Sequence, residues 1–403
     1  MKVVVILSSC SWDNPVELNA HRLAKGLVAR GWRVLFVESV GLRLPNLWRV
    51  SDRRRVTSRF RSFFHSIGSR KTSSNSASQG QLVVLPLLCP PPLCAPVSWF
   101  SGLFSSIQIR RSLRRLKWKL PVFVAMLPWH SRILRRSQNS KAVYYCVDSY
   151  EDNPCVHKKL VTQDERKLCE SVSSVIVSSQ SLQKRFIARD IPARLAENGV
   201  DYLKFSNAIK CRTASSLVED IPKPRLVYSG NIATFKIDLQ LLRRIATHSC
   251  SWNIILAGPI GVGDPSPASC VESITKLPNV HWVGNLKPSS LVELLSDCQL
   301  ALLPMRTDGP MRHSMPLKFW EFVSSGLFVV STRLPNLSQI PQDLVSVCAT
   351  HTSFISEISR VLSAEAALGR NELAKLRSRR SRAAECHDLG RTIDLFDELL
   401  RQF

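Results

Sequence analysis

The sequence predicts an α/β protein built from two Rossmann-like, doubly wound parallel-sheet domains facing a cleft. Three observations lead there. At 403 residues, 44% apolar and 21% charged, the chain exceeds one ordinary core and can fill two. Short apolar runs alternate with helix-period segments along both halves, the pattern of β-α-β units with right-handed crossovers. The alternation restarts after a polar stretch, Ser206–Lys223.

Val3–Leu7 is a continuous apolar run, as strands buried on both faces are. Pro15–Arg30 follows with Leu18, Leu23, Ala24, Leu27 and Val28 on one side of a helix. Gly31 ends it, and Val34–Val37 is the next strand. Further strands are expected at Leu82–Leu85, Val122–Met126, Val143–Val147 and Ser174–Val177. Residues 50–80 are Arg- and Ser-rich with little apolar periodicity, and read as a mobile insertion. Pro90, Pro91 and Pro92 force an extended turn. Residues 98–119 combine helical periodicity (Trp99, Phe100, Leu103, Phe104, Ile107, Leu113, Leu116, Trp118) with a basic remainder. Two readings are open: an interfacial membrane helix, or a sheet-covering helix whose basic residues face water.

In the second half the expected order is strand Arg225–Ser229, helix Asp238–Thr247, and strands Asn253–Ala257 and Val280–Val283. Helix Ser289–Asp297, strand Leu300–Leu303, a helix over 316–325 and strand Phe328–Ser331 follow, and Glu357–Phe403 is helical and charged. The expected domains are 1–205, binding acceptor, and 224–375, binding donor, joined by a linker over 206–223. Residues 376–403 form a last helix expected to pack across both.

Composition narrows the function classes. No apolar run reaches the roughly 18 residues of a membrane-spanning helix. Leu7-Ser-Ser-Cys10 has the form of a lipoprotein cleavage site, but Val3–Leu7 falls short of the roughly 7–15 apolar residues a signal segment needs. The twelve cysteines are scattered with no Cys-x-x-Cys, so reduced thiols and a cytoplasmic setting are expected. Charge is uneven: 32 Lys/Arg stand against 12 Asp/Glu in residues 1–200, and 23 against 19 in residues 201–403. The excess, in Arg43–Lys71 and Arg110–Lys119, points to an anionic partner for the first half. At +24 overall a nucleic-acid-binding protein is an alternative. It needs aromatics interleaved with basic residues on one face, which the basic runs lack, so no nucleic acid is expected.

The most informative segment is Ser314-Met-Pro316-Leu-Lys318-Phe-Trp-Glu321, closed by Gly326 and the apolar run Leu327–Val330. Pro is favoured at a helix start and Gly just past its end, so Lys318 and Glu321 lie one turn apart near the start of a short helix. First-turn N–H groups and a lysine attract anions, and a carboxylate can be shared by two vicinal hydroxyls. Diphosphate beside ribose suits this set. Upstream, strand Leu226–Ser229 runs into Gly230-Asn231-Ile-Ala-Thr-Phe-Lys236. Ligands sit beyond the carboxyl ends of parallel strands, where Gly230 lets one approach the backbone and Lys236 can reach a phosphate. Gly258-Pro-Ile-Gly261-Val-Gly263 follows another strand and lacks the ending of a Walker loop. Asp148 stands just past a strand end, either as a base or positioner for an acceptor hydroxyl or as a turn or cap residue. The chain has no glycine before Lys25, so the Gly-x-Gly-x-x-Gly of a dinucleotide oxidoreductase is missing.

The P-x-K-x-x-E helix, its closing Gly and the strand ending in Thr332 resemble the donor-site helix of GT-B glycosyltransferases. Gly230 to Lys236 resembles their G-x(5)-K loop, and Trp282-Val-Gly284-Asn285 and Leu303-Pro304-Met-Arg306 resemble their nucleotide-side loops. Tyr144 to Asp148 resembles their Y-x-x-x-D segment, and Asn198-Gly199-Val200-Asp201 the N-G-V-D that closes their first domain through a turn with Gly at positive φ. The resemblance implies donor binding by Gly230, Asn231, Lys236, Gly258, Arg306, Ser314, Pro316, Lys318 and Glu321, with Glu321 on the ribose. It implies an acceptor-side role for Asp148. It also implies metal-independent chemistry, and the chain has no Asp-x-Asp; Lys236, Lys318 and helix ends then offset the leaving-group charge. No cofactor is expected beyond the nucleoside-diphosphate sugar as co-substrate. Two departures stand out: Asn231 where an Arg often follows the Gly, and His313 where many retaining members carry a Glu eight residues before Glu321.

The expectation is a cytoplasmic, metal-independent glycosyltransferase of polysaccharide biosynthesis. Its acceptor is a glycan or a lipid-linked sugar, and the first half associates peripherally with the inner face of an anionic membrane. An inactive transferase-like scaffold is the further alternative, kept by His313.

Overall fold

The computed structural model describes residues 2–14, 16–39, 70–72, 80–90, 95–136, 141–153, 156–210, 215–262, 264, 266 and 269–403. The insertion expected over 50–80 therefore lies outside the described residues except at 70–72 and 80, as do Pro91, Pro92 and Gly263. The chain forms two compact units, Met1–Ala196 with Ile393–Phe403, and Glu197–Thr392.

The first unit holds β1 (Val3–Leu7), β2 (Arg33–Val37), β3 (Arg70–Thr72), β4 (Gln81–Leu85), β5 (Val122–Ala125), β6 (Ala142–Cys146), β7 (Ser174–Val177) and β8 (Ala193–Leu195). They order as β3-β4-β2-β1-β5-β6-β7-β8, parallel throughout except for β3, which runs antiparallel along β4. Val4 pairs with both Val34 and Val122, so β1 is central, and its five residues are all buried. Strands covered on both faces need side chains that are apolar on both, which is why these runs are continuous rather than alternating.

The second unit holds β9 (Arg225–Ser229), β10 (Asn253–Ala257), β11 (Val280–Gly284), β12 (Leu300–Leu303), β13 (Phe328–Thr332) and β14 (Val345–Cys348), ordered β11-β10-β9-β12-β13-β14 and all parallel. This is the 3-2-1-4-5-6 order of a doubly wound sheet, and the first unit repeats it from β4 to β7. The order reverses between β1 and β5 in one sheet and between β9 and β12 in the other. Crevices open beyond the carboxyl ends of strands at such reversals.

Each sheet has its own apolar core. Full burial of a Leu, Ile or Phe contributes about 1.5–3 kcal/mol over leaving it exposed. The second core is thus what holds the helix Leu317–Ser324 in place, through Phe319, Phe322 and Val323.

Several boundaries differ from the sequence reading. The first unit ends at Ala196 rather than 205, and much of the stretch 206–223 is not a linker. The helix Tyr202–Lys210 buries Phe205 and Ala208 in the second core, where Val218 joins them. The charged C-terminal stretch is helical as three pieces, His351–Ala366, Arg370–Ala383 and Leu389–Arg401, so residues 376–403 are not the single helix expected there. The last of them starts within the second unit, where Thr392 Oγ1 donates to the Glu197 carbonyl at 2.9 Å. From Ile393 it belongs to the first: Phe396 packs edge-on against Tyr145, and Trp32 Nε1 donates to Asp397 at 2.7 Å.

Gly199 is not in the positive-φ region expected of it. What requires glycine there is proximity, since a Cβ would lie 2.6 Å from the Leu389 Cα. Among the described residues no helix is long and apolar enough to cross a membrane.

Candidate functional site

In the second unit, glycines end three neighbouring strands or follow them directly. Gly230 comes after β9, Gly258 after β10, and Gly284 closes β11, with φ of +123°, +140° and +77°. These values suit glycine and strain any residue with a Cβ. Gly230 and Gly258 also touch: a Cβ on Gly258 would sit 2.1 Å from the Gly230 carbonyl oxygen. Two side-chain clamps fasten their loops together. Asn231 Nδ2 donates to the Val262 carbonyl at 2.7 Å while its Oδ1 accepts from the Val262 N–H at 3.1 Å. Asp264 accepts from the Thr234 N–H at 2.5 Å and its hydroxyl at 2.9 Å. Asn231, a donor-contact candidate from its position after Gly230, has both side-chain polar atoms engaged in this clamp.

The helix Leu317–Ser324 meets these loops. Pro316 is its N-cap rather than its first residue, and Lys318 stands in its first turn. Lys318 Nζ donates to Tyr228 Oη at 2.7 Å, lies 4.1 Å from the centre of that ring, and would be 2.3 Å from a Cβ on Gly230. Two motifs far apart in sequence thus converge at the carboxyl end of β9, beside the strand-order reversal. Burial lowers the Lys318 ammonium to a pKa of about 7; Lys236 pushes the same way and Glu321 opposes both. Tyr228 is pushed well above the ordinary phenol range by burial, so it stays protonated and also donates to the Asn231 carbonyl at 3.2 Å. Burial disfavours the charged form of this amine, and an anion beside it restores that form.

Glu321 is only 8% exposed, on a helix whose other face is core. It follows Lys318 by one helical turn. Lys236 is half-buried, and its carbonyl accepts from the Arg306 N–H at 2.8 Å, which ties the loop after β12 to the loop after β9. The Arg306 guanidinium is held by Asp308 through bonds of 2.9 and 2.6 Å, so an incoming phosphate has to compete with a carboxylate for it. Ser314 and His313 offer their carbonyls to Asn336 Nδ2, each at 3.1 Å. Asn198 Nδ2 donates to the Met315 carbonyl at 2.8 Å, fixing the turn into Pro316. The Asn198-Gly199-Val200-Asp201 segment thus supports the Lys318 helix from within the second unit, rather than closing the first.

The sequence reading passed over Tyr228 and did not single out the Trp282 side chain. A lone phenol in the aliphatic run Leu226–Tyr228 is the signal for the first, because a buried tyrosine hydroxyl needs a partner. Trp282, at β11, is half-exposed, and its indole N–H donates to the Gly258 carbonyl at 2.8 Å, which holds the ring beside the glycine loops.

Asp148 lies in the first unit, two residues beyond β6. Its loop is braced from below: Arg185 Nη1 donates to Ser149 Oγ at 2.8 Å, and Ser149 Oγ to Asp152 at 2.5 Å. Arg185 is in turn paired with the buried Glu165, which accepts from Tyr144 Oη at 2.9 Å. His130, unmarked in the sequence reading, stands just past β5 at the reversal point of the first sheet. Its Nδ1 accepts from the Met126 and Leu127 N–H groups at 3.3 and 3.1 Å, which leaves Nε2 to carry the ring proton. Burial lowers its pKa to about 3, so the ring is a neutral donor at any physiological pH.

The family model described as Glycosyl transferases group 1 matches residues 223–364. The putative teichuronic acid biosynthesis glycosyltransferase TuaH of Bacillus subtilis (strain 168) is 26% identical over 193 residues, 47% of this chain and 47% of its own length. The chain thus spans about half the length of that curated relative. Sucrose-phosphate synthase from Thermosynechococcus elongatus superposes with a TM-score of 0.67 at 14% identity, over 100% of this chain and 99% of that one. HepE from Anabaena in complex with UDP gives 0.65 at 13% identity, with both chains fully covered. An E. coli trehalose-6-phosphate protein bound with UDP-2-fluoro glucose gives 0.69 at 10% identity, over 100% and 99%. The chain has the GT-B fold, and its residues 223–364 match the family model of the glycosyl transferases group 1.

Proposed function

We propose that this protein is a glycosyltransferase whose second unit binds a nucleoside-diphosphate sugar without metal help. The observation that carries the reading is the convergence of Lys318 and Gly230. A lysine kept partly dry, a backbone that leaves room for a ligand, and a second lysine within electrostatic reach make a cradle for a diphosphate. Charge developing on the leaving diphosphate is met by Lys318 and Lys236, donors already in place, which is where such groups act most strongly. Glu321 is the group offered to the ribose hydroxyls, and the Trp282 ring is a platform for the base. The UDP and UDP-sugar ligands of two of the similar structures support a nucleotide donor.

For the first unit the reading is an acceptor site on a glycan or lipid-linked sugar, with Asp148 and the neutral His130 as its polar groups. The teichuronic acid relative supports polysaccharide biosynthesis, and the basic excess of the first 200 residues supports a cytoplasmic protein held at an anionic membrane surface. The test is thermal-shift screening with UDP, GDP, dTDP, CDP and ADP, followed by turnover of the matching nucleotide sugars with and without EDTA. A stabilising nucleotide whose binding is lost in Lys318→Ala supports the site, and EDTA-insensitive turnover supports the chemistry. Binding that survives Lys318→Ala, or turnover that EDTA abolishes, overturns the corresponding part.

A further inference from the structure

The helix Ala95–Leu116 is built inside out over its first half. Its inward face carries Ser98, Ser101, Gly102, Ser105 and Ser106, and the four serines are at most 3% exposed. The cause is close packing against the short helix Ser131–Leu134: a Cβ on Gly102 would meet the Arg132 Cβ at 2.8 Å, and Ser106 Oγ donates to the Ile133 carbonyl at 3.4 Å. Only small residues fit that side. The bulky residues are left outside, with Trp99, Phe100, Phe104 and Ile107 at 43–52% exposure. Among the described residues nine large hydrophobic side chains are exposed, and four of them form this one stripe. A contiguous apolar stripe, unlike a scattered exposed leucine, marks a contact surface.

What continues the stripe identifies the contact. One turn on, the same outward face becomes Arg110, Arg111, Arg114 and Arg115, all exposed, followed by exposed Lys117, Lys119 and Leu120. The Arg136 guanidinium lies 5.0 Å over the Trp99 ring at the other end of the stripe. From Arg53 to Val147 the sequence contains no Asp or Glu at all. Apolar and basic residues are segregated along the helix rather than interleaved, so the aromatics do not alternate with cations as they do on a strand-stacking nucleic-acid surface. An apolar patch bordered by cations and free of acids is complementary to hydrocarbon beneath anionic headgroups.

We propose that this face, Trp99 to Ile107 with Arg110 to Arg115, inserts into the surface of an anionic phospholipid bilayer. The helix supplies the apolar contact and the arginines supply the attraction. The inference rests on the membrane part of the preceding reading and is independent of the donor site.

The test is co-flotation of the full chain with phosphatidylcholine vesicles and with phosphatidylcholine–phosphatidylglycerol vesicles, at low and high salt. The expected result is binding to the anionic vesicles only. Binding should fall ~10-fold or more in the variant Trp99→Ser, Phe100→Ser, Phe104→Ser. In Arg110→Gln, Arg111→Gln, Arg114→Gln, Arg115→Gln it should weaken with most of its salt dependence removed. Melting temperature and the nucleoside-diphosphate shift are recorded for each variant, so a folding defect or a failed donor site shows separately. Unchanged vesicle binding by the folded serine variant places the membrane contact elsewhere and overturns the proposal, and absence of wild-type binding overturns it together with the membrane reading. A dimer that the serine variant converts to monomer assigns the face to a second copy instead. Random single-stranded RNA bound by the wild type and lost in both variants assigns it to nucleic acid.

Discussion

Lys318 places its ammonium 2.7 Å from the Tyr228 hydroxyl and above the face of the same ring, at 4.1 Å from its centre. The aromatic face attracts the charge while burial disfavours it, and burial is the larger effect, bringing the pKa to about 7. A bound diphosphate supplies the missing counter-charge and raises it again. Binding then takes up a proton above pH ~7, and affinity falls by up to about tenfold per pH unit as pH rises beyond that, levelling below it. Calorimetry of the bound nucleotide across that range, in buffers of differing ionisation enthalpy, measures both. A flat profile with no proton uptake contradicts the assignment. The same depression from 10.5 has the opposite sign for the unliganded fold, which gains stability as pH rises from about 7 toward 10 because the unfolded chain binds the extra proton there.

Glu321 is the group that resists this depression, since its carboxylate favours the charged amine. Glu321→Gln keeps the side chain's shape in a buried position and removes that support. The expected outcome is a binding edge moved to lower pH, and loss of turnover by 10-fold or more through the ribose contact, with the melting temperature little changed. The variant's pH profile separates the two effects. An unshifted edge shows that the carboxylate does not act on Lys318.

Gly230 and Gly258 invite the same substitution and should answer differently. In Gly258→Ala the new Cβ meets backbone, the Gly230 carbonyl oxygen at 2.1 Å, which cannot give way without moving both loops. In Gly230→Ala it meets the mobile end of Lys318 at 2.3 Å. Both carry the strain of a positive φ, about 1–3 kcal/mol. Gly258→Ala is therefore expected to lower the melting temperature markedly, whereas Gly230→Ala remains folded and loses nucleotide binding. Denaturant unfolding and nucleotide titration of the two variants provide the comparison, and equal melting with equal binding contradicts it.

The doubly wound parallel sheets and the short helix after Pro316 were legible because their elements rest on local signals. Continuous apolar runs marked β1, β9, β10 and β12 within a residue or so of their observed bounds, and Pro316, Lys318 and Gly326 framed the helix between β12 and β13. What stayed hidden depends on contacts made at a distance. β8 and β14 are short strands at the sheet edges, with little apolar signal of their own. The stretch 206–223 reads as a linker by its polarity, yet Phe205, Ala208 and Val218 anchor its neighbourhood in the second core. Gly199 reads as a turn glycine, but the reason for it is Leu389, far along the chain. Residues 98–119 showed the correct amphipathic composition without showing which side faces in, because the inward side is chosen by the closeness of Arg132 and not by hydrophobicity.

Trp282 gives the last prediction, and it separates base recognition from phosphate recognition. The ring is half-exposed in a unit whose other tryptophans, Trp252 and Trp320, are buried, so it contributes little to the core. Its N–H bond to the Gly258 carbonyl fixes its place beside the loops that Lys318 reaches. Stacking of a base on an aromatic face contributes about 1–3 kcal/mol, a factor of roughly five to a hundred and fifty in affinity. Trp282→Ala is expected to weaken the preferred nucleoside diphosphate by that factor and leave inorganic pyrophosphate binding unchanged. Trp282→Phe, which keeps a ring but loses the N–H, should recover most of the affinity if stacking is the contribution. Pyrophosphate weakened in parallel with the nucleotide shows instead that the indole acts by holding Gly258, and removes it from the base site.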